Sequence, residues 1–324
     1  MKTATIRKCA VAAIVVILSV PATLSLFAFA ARSWWPFELL THLRAHYLWA
    51  LVFGGAILAA LKHLKLAAVF GAFAVINLCF VLPLYWPESR NRAEGRPIRL
   101  MNVNGYHYNP TRQKLIALIR DTQPDVVLVL EVDDAWVHDL ELLAALYPHR
   151  HYEPRKHDLG IALLSRLPVN DLDVHYFGPA DVPSFTARLE DHRGNSFHLI
   201  GTHPLPPLSA TGAVVRNEQL TNINAFIQTL AGPVVLAGDL NSTSWSPNFR
   251  DFVRRAGLRD TRNGFGNLPT WPGKLAPIGI TIDHVLVTPD ISVRARSVGP
   301  YIGSDHRPLL VDLVIPGSAN RPSD

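Results

Sequence analysis

The hydrophobic residues of this chain are concentrated in its first ninety positions, and this asymmetry limits the folds open to it. Apolar runs fall near residues 11–31, 45–62 and 66–86, each close to the length that crosses a bilayer as a helix. A backbone inside lipid has to satisfy its own polar groups, and a single run does so only as a helix. The sequence therefore predicts a membrane anchor of about three transmembrane helices over residues 1–86, followed by a water-exposed domain.

The charges that flank these runs predict how the anchor is oriented. Lys62 and Lys65 lie in the short connector between the second and third runs, and basic residues prefer the cytoplasmic side. Three crossings from a cytoplasmic N-terminus make a multi-pass protein of the cell membrane whose remaining chain is extracytoplasmic. The Ala-x-Ala pattern at 28–30 leaves open that the first run is a cleaved signal peptide, which gives the same topology. The opposite orientation is favoured by four arginines just after the last run, Arg90, Arg92, Arg96 and Arg99.

The cysteines and the net charge exclude some classes of function. Cys9 and Cys79 are the only cysteines and both lie in the apolar part, which excludes zinc-finger and cysteine-nucleophile chemistry from the rest of the chain. The formal net charge is +5, but much of the Lys and Arg flanks the apolar runs, where anionic lipid headgroups account for it. Nucleic acid is therefore a possible partner but not the favoured one. Nothing in the sequence indicates an oligomeric state.

The pattern after the anchor predicts an α+β domain. A polar, proline-bounded linker at 87–97 precedes a soluble domain at 98–315, and a tail at 316–324 rich in Ser, Pro and Asn is predicted to be disordered. The domain opens with a strand at 98–103, an amphipathic helix at 110–122 and a buried strand at 126–130. Short strands in hairpin order follow, which favours a four-layer sandwich of two mixed β-sheets flanked by helices. We predict these strands at 160–165, 184–190, 196–202, 234–238, 281–288 and 308–314, with a helix at 216–230.

Polar residues recur where the apolar runs of this domain end. The strand at 234–238 runs directly into Asp239-Leu240-Asn241, which delivers a carboxylate and an amide to the edge of a sheet. Glu131 and the pairs Ile282-Asp283 and Asp305-His306 also fall at or near the ends of apolar runs. One such pattern is weak evidence, but several that one sheet edge gathers indicate an enzyme that hydrolyses phosphate esters with activated water.

The order of these motifs resembles a known family. The series runs from Met101-Asn102-Val103-Asn104-Gly105 through Leu128-Val129-Leu130-Glu131, Gly160 to Arg166, Thr202-His203-Pro204, Gly238 to Asn241 and Thr281 to His284, to Gly303-Ser304-Asp305-His306-Arg307-Pro308. Over residues 98–315 it resembles the endonuclease/exonuclease/phosphatase superfamily, which has the fold of deoxyribonuclease I. The preceding apolar spans resemble the membrane-bound branch that includes VanJ-type teicoplanin-resistance proteins.

The metal side of the site follows partly from the residues and partly from this resemblance. Glu131 ends an uninterrupted apolar strand, where a carboxylate is costly to bury without a cation. Oxygen ligands without Cys favour Mg²⁺ or Mn²⁺, with Asn102 completing the site and Asp305 facing it. Asn104 stands where many relatives have Asp, so we expect it to act as a ligand or to orient the substrate phosphate. Arg166 is a candidate contact for anionic groups of the substrate.

The resemblance implies the remaining catalytic roles. Asp239 is expected to orient and deprotonate the attacking water, and Asn241 to donate a hydrogen bond to a phosphoryl oxygen. His306 would stabilise charge at phosphorus, with Asp283 holding its imidazole in the required tautomer. His203, which precedes Pro204, would protonate the leaving oxygen or grip the phosphate. Two further expectations concern packing: His284 points to the opposite strand face and is structural, and the loops with Trp245 and Trp271 either grip the substrate or pack.

These expectations combine into a membrane-anchored, extracytoplasmic, metal-dependent phosphohydrolase. An anchored domain reaches only substrates near the bilayer, which favours a phosphorylated lipid such as a polyprenyl pyrophosphate or a phospholipid headgroup. An extracytoplasmic nuclease is the alternative enzyme, and a catalytically silent domain that binds phosphorylated ligands is the alternative without catalysis. The sequence leaves open whether one or two metal ions act.

Overall fold

The chain forms two compact units in the computed structural model, which describes residues 2–86 and 95–317. One unit consists of Met1–Trp86 with Trp245–Pro247, and the other of Pro87–Ser244 with Asn248–Asp324. The predicted linker at 87–97 and the predicted tail at 316–324 fall mostly outside the described residues.

The N-terminal unit is helical. Its helices are α1 (Lys2–Phe27), α2 (Trp35–Thr41), α3 (Arg44–Ala60) and α4 (Leu64–Val81), with short 3₁₀ helices at Ala28–Ala30 and Leu82–Tyr85. Two stretches, Thr5–Ala30 and Leu64–Tyr85, are long and apolar enough to cross a membrane. The predicted middle span corresponds to α3, which is bent by 57° from α2 and makes a third crossing only if the bent pair counts as one span.

A buried arginine lies inside this apolar unit. Nη1 of Arg44 donates hydrogen bonds to Asn77 Oδ1 at 3.2 Å and to the Ser25 carbonyl at 3.1 Å. Its guanidinium also lies 4.2 Å from the ring centroid of Phe80, in cation–π geometry. A charge buried among apolar helices is costly unless it is bonded in this way.

The second unit contains two six-stranded sheets. The first has the strand order β11-β12-β1-β2-β4-β3 and the second the order β5-β6-β7-β8-β10-β9. The strands of the first sheet are β1 (Ile98–Asn104), β2 (Val126–Leu130), β3 (His149–Glu153), β4 (Ile161–Ser165), β11 (Ser292–Val298) and β12 (Leu309–Val314). Those of the second are β5 (Val169–His175), β6 (Ser184–Glu190), β7 (Ser196–Thr202), β8 (Val234–Asp239), β9 (Arg259–Asp260) and β10 (Asp283–Val287).

Helices cover the outer face of each sheet. Apolar residues of α5 (Gln113–Thr122) and α6 (Asp134–Leu140) share one buried cluster with the first sheet, and those of α7 (Ala210–Ile227) and α8 (Pro247–Arg255) share another with the second. Between the sheets, Leu100 and Leu128 of one lie in the same buried cluster as Val235 and Val285 of the other. This arrangement confirms the predicted four-layer α+β sandwich of two mixed sheets. Short 3₁₀ helices lie at Glu141–Leu143 and Gly273–Ile278.

Two helix starts differ from the predictions, and a side chain accounts for each. The helix predicted from residue 110 begins at Gln113, because Asn109 Oδ1 accepts the backbone N–H of Thr111 at 2.8 Å and holds a turn there. The helix predicted from residue 216 begins at Ala210, where Ser209 Oγ caps it by accepting the N–H of Gly212 at 3.0 Å.

Candidate active site

The first sheet contributes Asn104 and Glu131 at one end of its parallel pair of strands. In the register of β1 and β2, Asn104 lies opposite Leu130, and Glu131 is the next residue. Nδ2 of Asn104 donates a hydrogen bond to Glu131 Oε1 at 2.8 Å, and both residues are buried. Glu131 has a left-handed backbone (φ +59°), which is uncommon for this residue and is typical of strained functional positions.

The second sheet contributes His203 and Asp239 in the same way. Strands β7 and β8 are parallel, with Thr202 opposite Gly238, so the two polar residues follow at the same sheet edge. A Cβ atom on Gly238 would collide with the carbonyl oxygen of Thr202, which explains why a glycine precedes the aspartate. Beyond the strand, the backbone N–H of Asn241 donates to Asp239 Oδ1 at 2.9 Å and fixes that carboxylate.

A hydrogen-bonded pair, Asp283 and His306, lies beside Asp239. Asp283 pairs with Asp239 across β8 and β10, and its Oδ2 lies 2.8 Å from His306 Nδ1. The other ring nitrogen, His306 Nε2, is 3.6 Å from Asp239 Oδ2. Ser304 Oγ accepts the backbone N–H of His306 at 2.9 Å and donates to the carbonyl of Asn104 at 2.8 Å. The loop before β12 is thereby tied to the end of β1.

Oδ2 of Asp239 is the atom on which groups from both sheets converge. His203 Nε2 lies 3.5 Å from it, and Asn104 Nδ2 lies 3.5 Å from it as well. Asp239 is 1% exposed and His203 is 6% exposed, so these contacts are made away from bulk water. Asn104 and Glu131 of the first sheet therefore form one polar cluster with His203, Asp239, Asp283 and His306.

Proximity sets the protonation states in this cluster. Burial alone would raise the pKa of Asp239, but His306 and His203 lower it to about 2, so the carboxylate is ionised at neutral pH. Burial alone would lower the pKa of His306, but Asp283 and Asp239 raise it to about 10, so it is an imidazolium. Burial opposes a charge on His203, but its hydrogen bond to Asp239 and the charge of Glu131 raise its pKa.

Two groups of residues offer ligands for a divalent cation. Atoms of Asp239, Asp283 and His306 all lie within 4.8 Å of one another, but two of the three residues are already bonded to each other, with His306 Nδ1 2.8 Å from Asp283 Oδ2. The other group includes Glu131 and Asn102, whose fully buried carboxamide has no hydrogen-bond partner among the described residues. Leaving such an amide unbonded is costly, and an amide oxygen together with a buried carboxylate is the donor chemistry that Mg²⁺ or Mn²⁺ prefers. The donor set thus fits a metal at Glu131.

The remaining predicted residues lie in different places. Asp305 precedes His306 but is exposed, and its Oδ2 accepts a hydrogen bond from Trp271 Nε1 at 3.3 Å. Arg166 is not brought to the cluster. Strands β2 and β4 are antiparallel, and Ser165 at the end of β4 pairs with Val126 at the start of β2. Arg166 therefore lies at one end of this strand pair and Glu131 at the other. Nη1 of Arg166 donates to the carbonyl of Gln123 at 3.3 Å.

His284, which is expected to be structural, and Trp245, for which packing is one of two alternatives, both pack in the structure. His284 is fully buried on the strand face opposite to Asp283, and its Nε2 donates to the carbonyl of Ser242 at 2.8 Å. Trp245 is 3% exposed within the core of the N-terminal unit, where its Nε1 donates to the Phe80 carbonyl at 3.0 Å. Of the two loop tryptophans, the packing alternative therefore applies to Trp245.

Sequence reasoning missed His107 and Asp260. His107 Nδ1 lies 3.2 Å from Glu131 Oε2, but the residue sits in a turn without the strand-end signal that identified the other residues. Asp260 is buried and accepts a hydrogen bond from Ser244 Oγ at 2.5 Å, which supports the loop after Asn241. It lies in a two-residue strand, too short to give a periodic pattern.

The fold and the cluster define the class of protein, a phosphoester hydrolase with a sandwich like that of deoxyribonuclease I. The chain belongs to the Endonuclease/Exonuclease/phosphatase family, whose model matches residues 101–306. This confirms the family expected from the motifs.

Individual relatives match only part of the chain or match at low identity. A phospholipase C of Staphylococcus aureus is 27% identical over 128 residues, which span 35% of this chain and 38% of that protein. An endonuclease/exonuclease/phosphatase structure from Bacteroides vulgatus is 20% identical, covers 68% of this chain and 100% of its own, and has a TM-score of 0.58. D. rerio TDP2 complexed with a single-strand DNA product is 16% identical, covers 67% and 99%, and has a TM-score of 0.55. The two structures establish the fold alone.

Proposed function

We propose that this protein is a membrane-anchored phosphohydrolase that cleaves a P–O bond of a phosphorylated lipid by attack of water, with Mg²⁺ or Mn²⁺ as cofactor. The observation that carries the proposal is the buried cluster in which an ionised carboxylate, Asp239, lies beside two imidazoles and within reach of the Glu131 group. Such groups, fixed before substrate arrives, stabilise developing charge without reorganisation.

Asp239 and Asn241 act on the water and the phosphoryl group. Asp239 is ionised, so its Oδ2 accepts a hydrogen bond from the attacking water and takes up its proton as the bond to phosphorus forms. Asn241 Nδ2 donates one hydrogen to the carbonyl of Pro204 at 3.0 Å, which orients the amide and leaves its second hydrogen for a phosphoryl oxygen.

The two imidazoles act on the charge and on the leaving group. His306 carries a positive charge that Asp283 stabilises, and it offsets the negative charge that grows on the phosphoryl oxygens. His203 donates a proton to the leaving oxygen, and its raised pKa favours the protonated form that this step needs. The water thus loses a proton to Asp239, the P–O bond breaks, and the leaving oxygen receives a proton from His203.

Glu131 and Asn102 would hold the cation, whereas Asp305, which the sequence predicted to face it, is exposed and bonded to Trp271. When bound, the cation would polarise the phosphoryl group as a Lewis acid. Asn104, whose amide reaches both Glu131 Oε1 and Asp239 Oδ2, holds the carboxylate of the metal side and the carboxylate of the water side in place.

The apolar helices favour a lipid substrate. Two or three potential spans tether the catalytic unit to a bilayer, where phosphorylated lipids are concentrated. The partial likeness to a phospholipase C agrees with a lipid headgroup as substrate. We infer an extracytoplasmic catalytic unit from the exposed Lys62 and Lys65 at the connection of α3 to α4, which favour the cytoplasmic side.

The test is substrate turnover by purified full-length protein in detergent. We expect phosphate release from a polyprenyl pyrophosphate with Mg²⁺, its loss on chelation, and its recovery with Mn²⁺. Digestion of plasmid DNA without lipid turnover would identify a nuclease instead, and binding of the lipid without hydrolysis would identify a binding domain. For topology, a C-terminal alkaline phosphatase fusion should be active and a fluorescent protein fusion dark. The reverse pattern would place the catalytic unit in the cytoplasm.

A further inference from the structure

The turn that follows β1 folds back over the carboxylate of Glu131. Tyr106 has a left-handed backbone (φ +58°), and its N–H donates to Asn104 Oδ1 at 3.0 Å. Asn109 Nδ2 donates to the carbonyl of Gly105 at 3.2 Å and closes the turn from its other side. A left-handed tyrosine costs free energy, so these bonds are needed to hold the shape of the turn.

This turn places His107 against Glu131. Nδ1 of His107 lies 3.2 Å from Glu131 Oε2, and the backbone N–H of His107 points to the same oxygen at 3.4 Å. The two side chains are only 14% and 12% exposed. The Tyr108 ring lies 3.9 Å from the imidazole, centroid to centroid, and limits its rotation. The imidazole nitrogen is therefore directed at the carboxylate.

The separation of these two atoms fits neighbouring ligands of one cation. Ligands of a small divalent cation lie about 2.1 Å from it, so adjacent corners of an octahedral shell are about 3 Å apart. The 3.2 Å between His107 Nδ1 and Glu131 Oε2 agrees with that spacing. Without a cation, the same two atoms form a hydrogen bond in which Nδ1 donates to the carboxylate.

The donors on the other side of Glu131 are neutral. Asn102 and Asn104 are amides on the same face of β1, and both polar atoms of the buried Asn102 side chain have no partner among the described residues. A site of one carboxylate and neutral amides holds Mg²⁺ largely through waters and substrate phosphates. A nitrogen donor favours first-row transition metals instead.

We propose that His107 supplies a nitrogen ligand to the cation held at Glu131, and that this imidazole makes the site prefer Mn²⁺ to Mg²⁺. His107 coordinates through Nδ1 and keeps its proton on Nε2. The inference rests on the proposed function only in that a divalent cation binds at Glu131.

Pulsed electron paramagnetic resonance of the full-length protein with one equivalent of Mn²⁺ tests the coordination. The wild type should show the coupling of a directly bound imidazole ¹⁴N, and His107→Gln should lose it. His157→Gln is the matched control, since the His157 ring is exposed with its centroid 6.3 Å from that of His107, and it should keep the coupling. Coupling that is absent from the wild type, or that survives in His107→Gln, overturns the proposal. His107→Phe, which keeps a ring against Tyr108, replaces the Gln variant if that one does not fold.

Calorimetric titration with each cation tests the preference. His107→Gln should weaken Mn²⁺ binding at least about tenfold, the lower end of what changes around metal ligands cost, with a much smaller effect on Mg²⁺. An equal loss for both cations, or no loss, contradicts the proposal. If the wild type hydrolyses substrate with Mg²⁺ but lacks the ¹⁴N coupling, the assignment of His107 as a ligand is wrong and the proposed function stands. If the wild type binds neither cation, the proposed metal-dependent function itself is wrong.

Discussion

Replacing Asp239 by Asn separates its role in catalysis from its role in stability. The substitution keeps the size of the side chain but removes the charge that faces His203 and His306. Loss of a positioned proton acceptor costs about 10²- to 10⁴-fold in rate. We therefore expect kcat for lipid phosphate release to fall by at least about 100-fold.

The stability cost of the same change is small and depends on pH. The pKa of Asp239 is about 2 in the folded protein and 3.8 in an unfolded chain, so its charge stabilises the folded state by about 2 kcal/mol at pH 7. Because the folded pKa is the lower one, this contribution is present above pH 3.8 and is lost as the pH falls towards 2. About 2 kcal/mol corresponds to a decrease in Tm of roughly 4–8 °C for a domain of this size.

The assay combines initial rates of phosphate release with thermal and urea unfolding. Asp173→Asn, an exposed aspartate on the edge strand β5, is the matched control and should keep both activity and stability. Full activity in Asp239→Asn would show that Asp239 is not the proton acceptor. A difference in unfolding free energy between wild type and variant that is the same at pH 3 and pH 7 would refute the electrostatic reasoning.

Three other substitutions test parts of the same site. The pKa of His306 is raised to about 10, so its charge stabilises the folded state fully below pH 6.5, and this contribution is lost as the pH rises towards 10. Asp283→Asn should therefore flatten the decline in unfolding free energy between pH 7 and 10. An unchanged slope would contradict the pairing of Asp283 with His306. Asp260→Asn removes the buried charge that holds Ser244 and should cost about 3–5 kcal/mol in urea unfolding, whereas a loss below about 1 kcal/mol would show that the loop is held otherwise. Gly238→Ala forces a Cβ against a backbone carbonyl and should lower unfolding free energy by about 1–3 kcal/mol, and unchanged unfolding would mean that β8 shifts freely.

Central strands could be predicted from the sequence, but edge strands could not. The strands at 126–130, 184–190 and 196–202 were predicted with the bounds that the structure has, because each carries a run of buried side chains. The four strands that were missed, β3, β5, β9 and β11, are the outer strands of the two sheets. An edge strand has one neighbour and more exposed side chains, so its hydrophobic pattern is weak.

The candidate site was predictable where strand direction was unambiguous. Glu131 follows β2 and Asp239 ends β8, and each of these strands has a parallel partner, so the two residues meet at one edge of the sandwich. Arg166 also follows an apolar strand, but β4 runs antiparallel to β2 and carries it to the other end. His107 was out of reach because the left-handed turn at Tyr106, rather than any periodicity, brings it to Glu131.

The central claim is that residues from both sheets act as one hydrolytic site, and a double-mutant cycle in kcat tests it most directly. The cycle compares Asp239→Asn, His306→Gln and the double variant in full-length protein, since Asp239 Oδ2 and His306 Nε2 lie 3.6 Å apart. Residues that work as a unit are non-additive, so the double variant should be no slower than about the slower single variant. A double variant that is slower by the full product of the two single effects would mean that the groups act independently and would contradict the account.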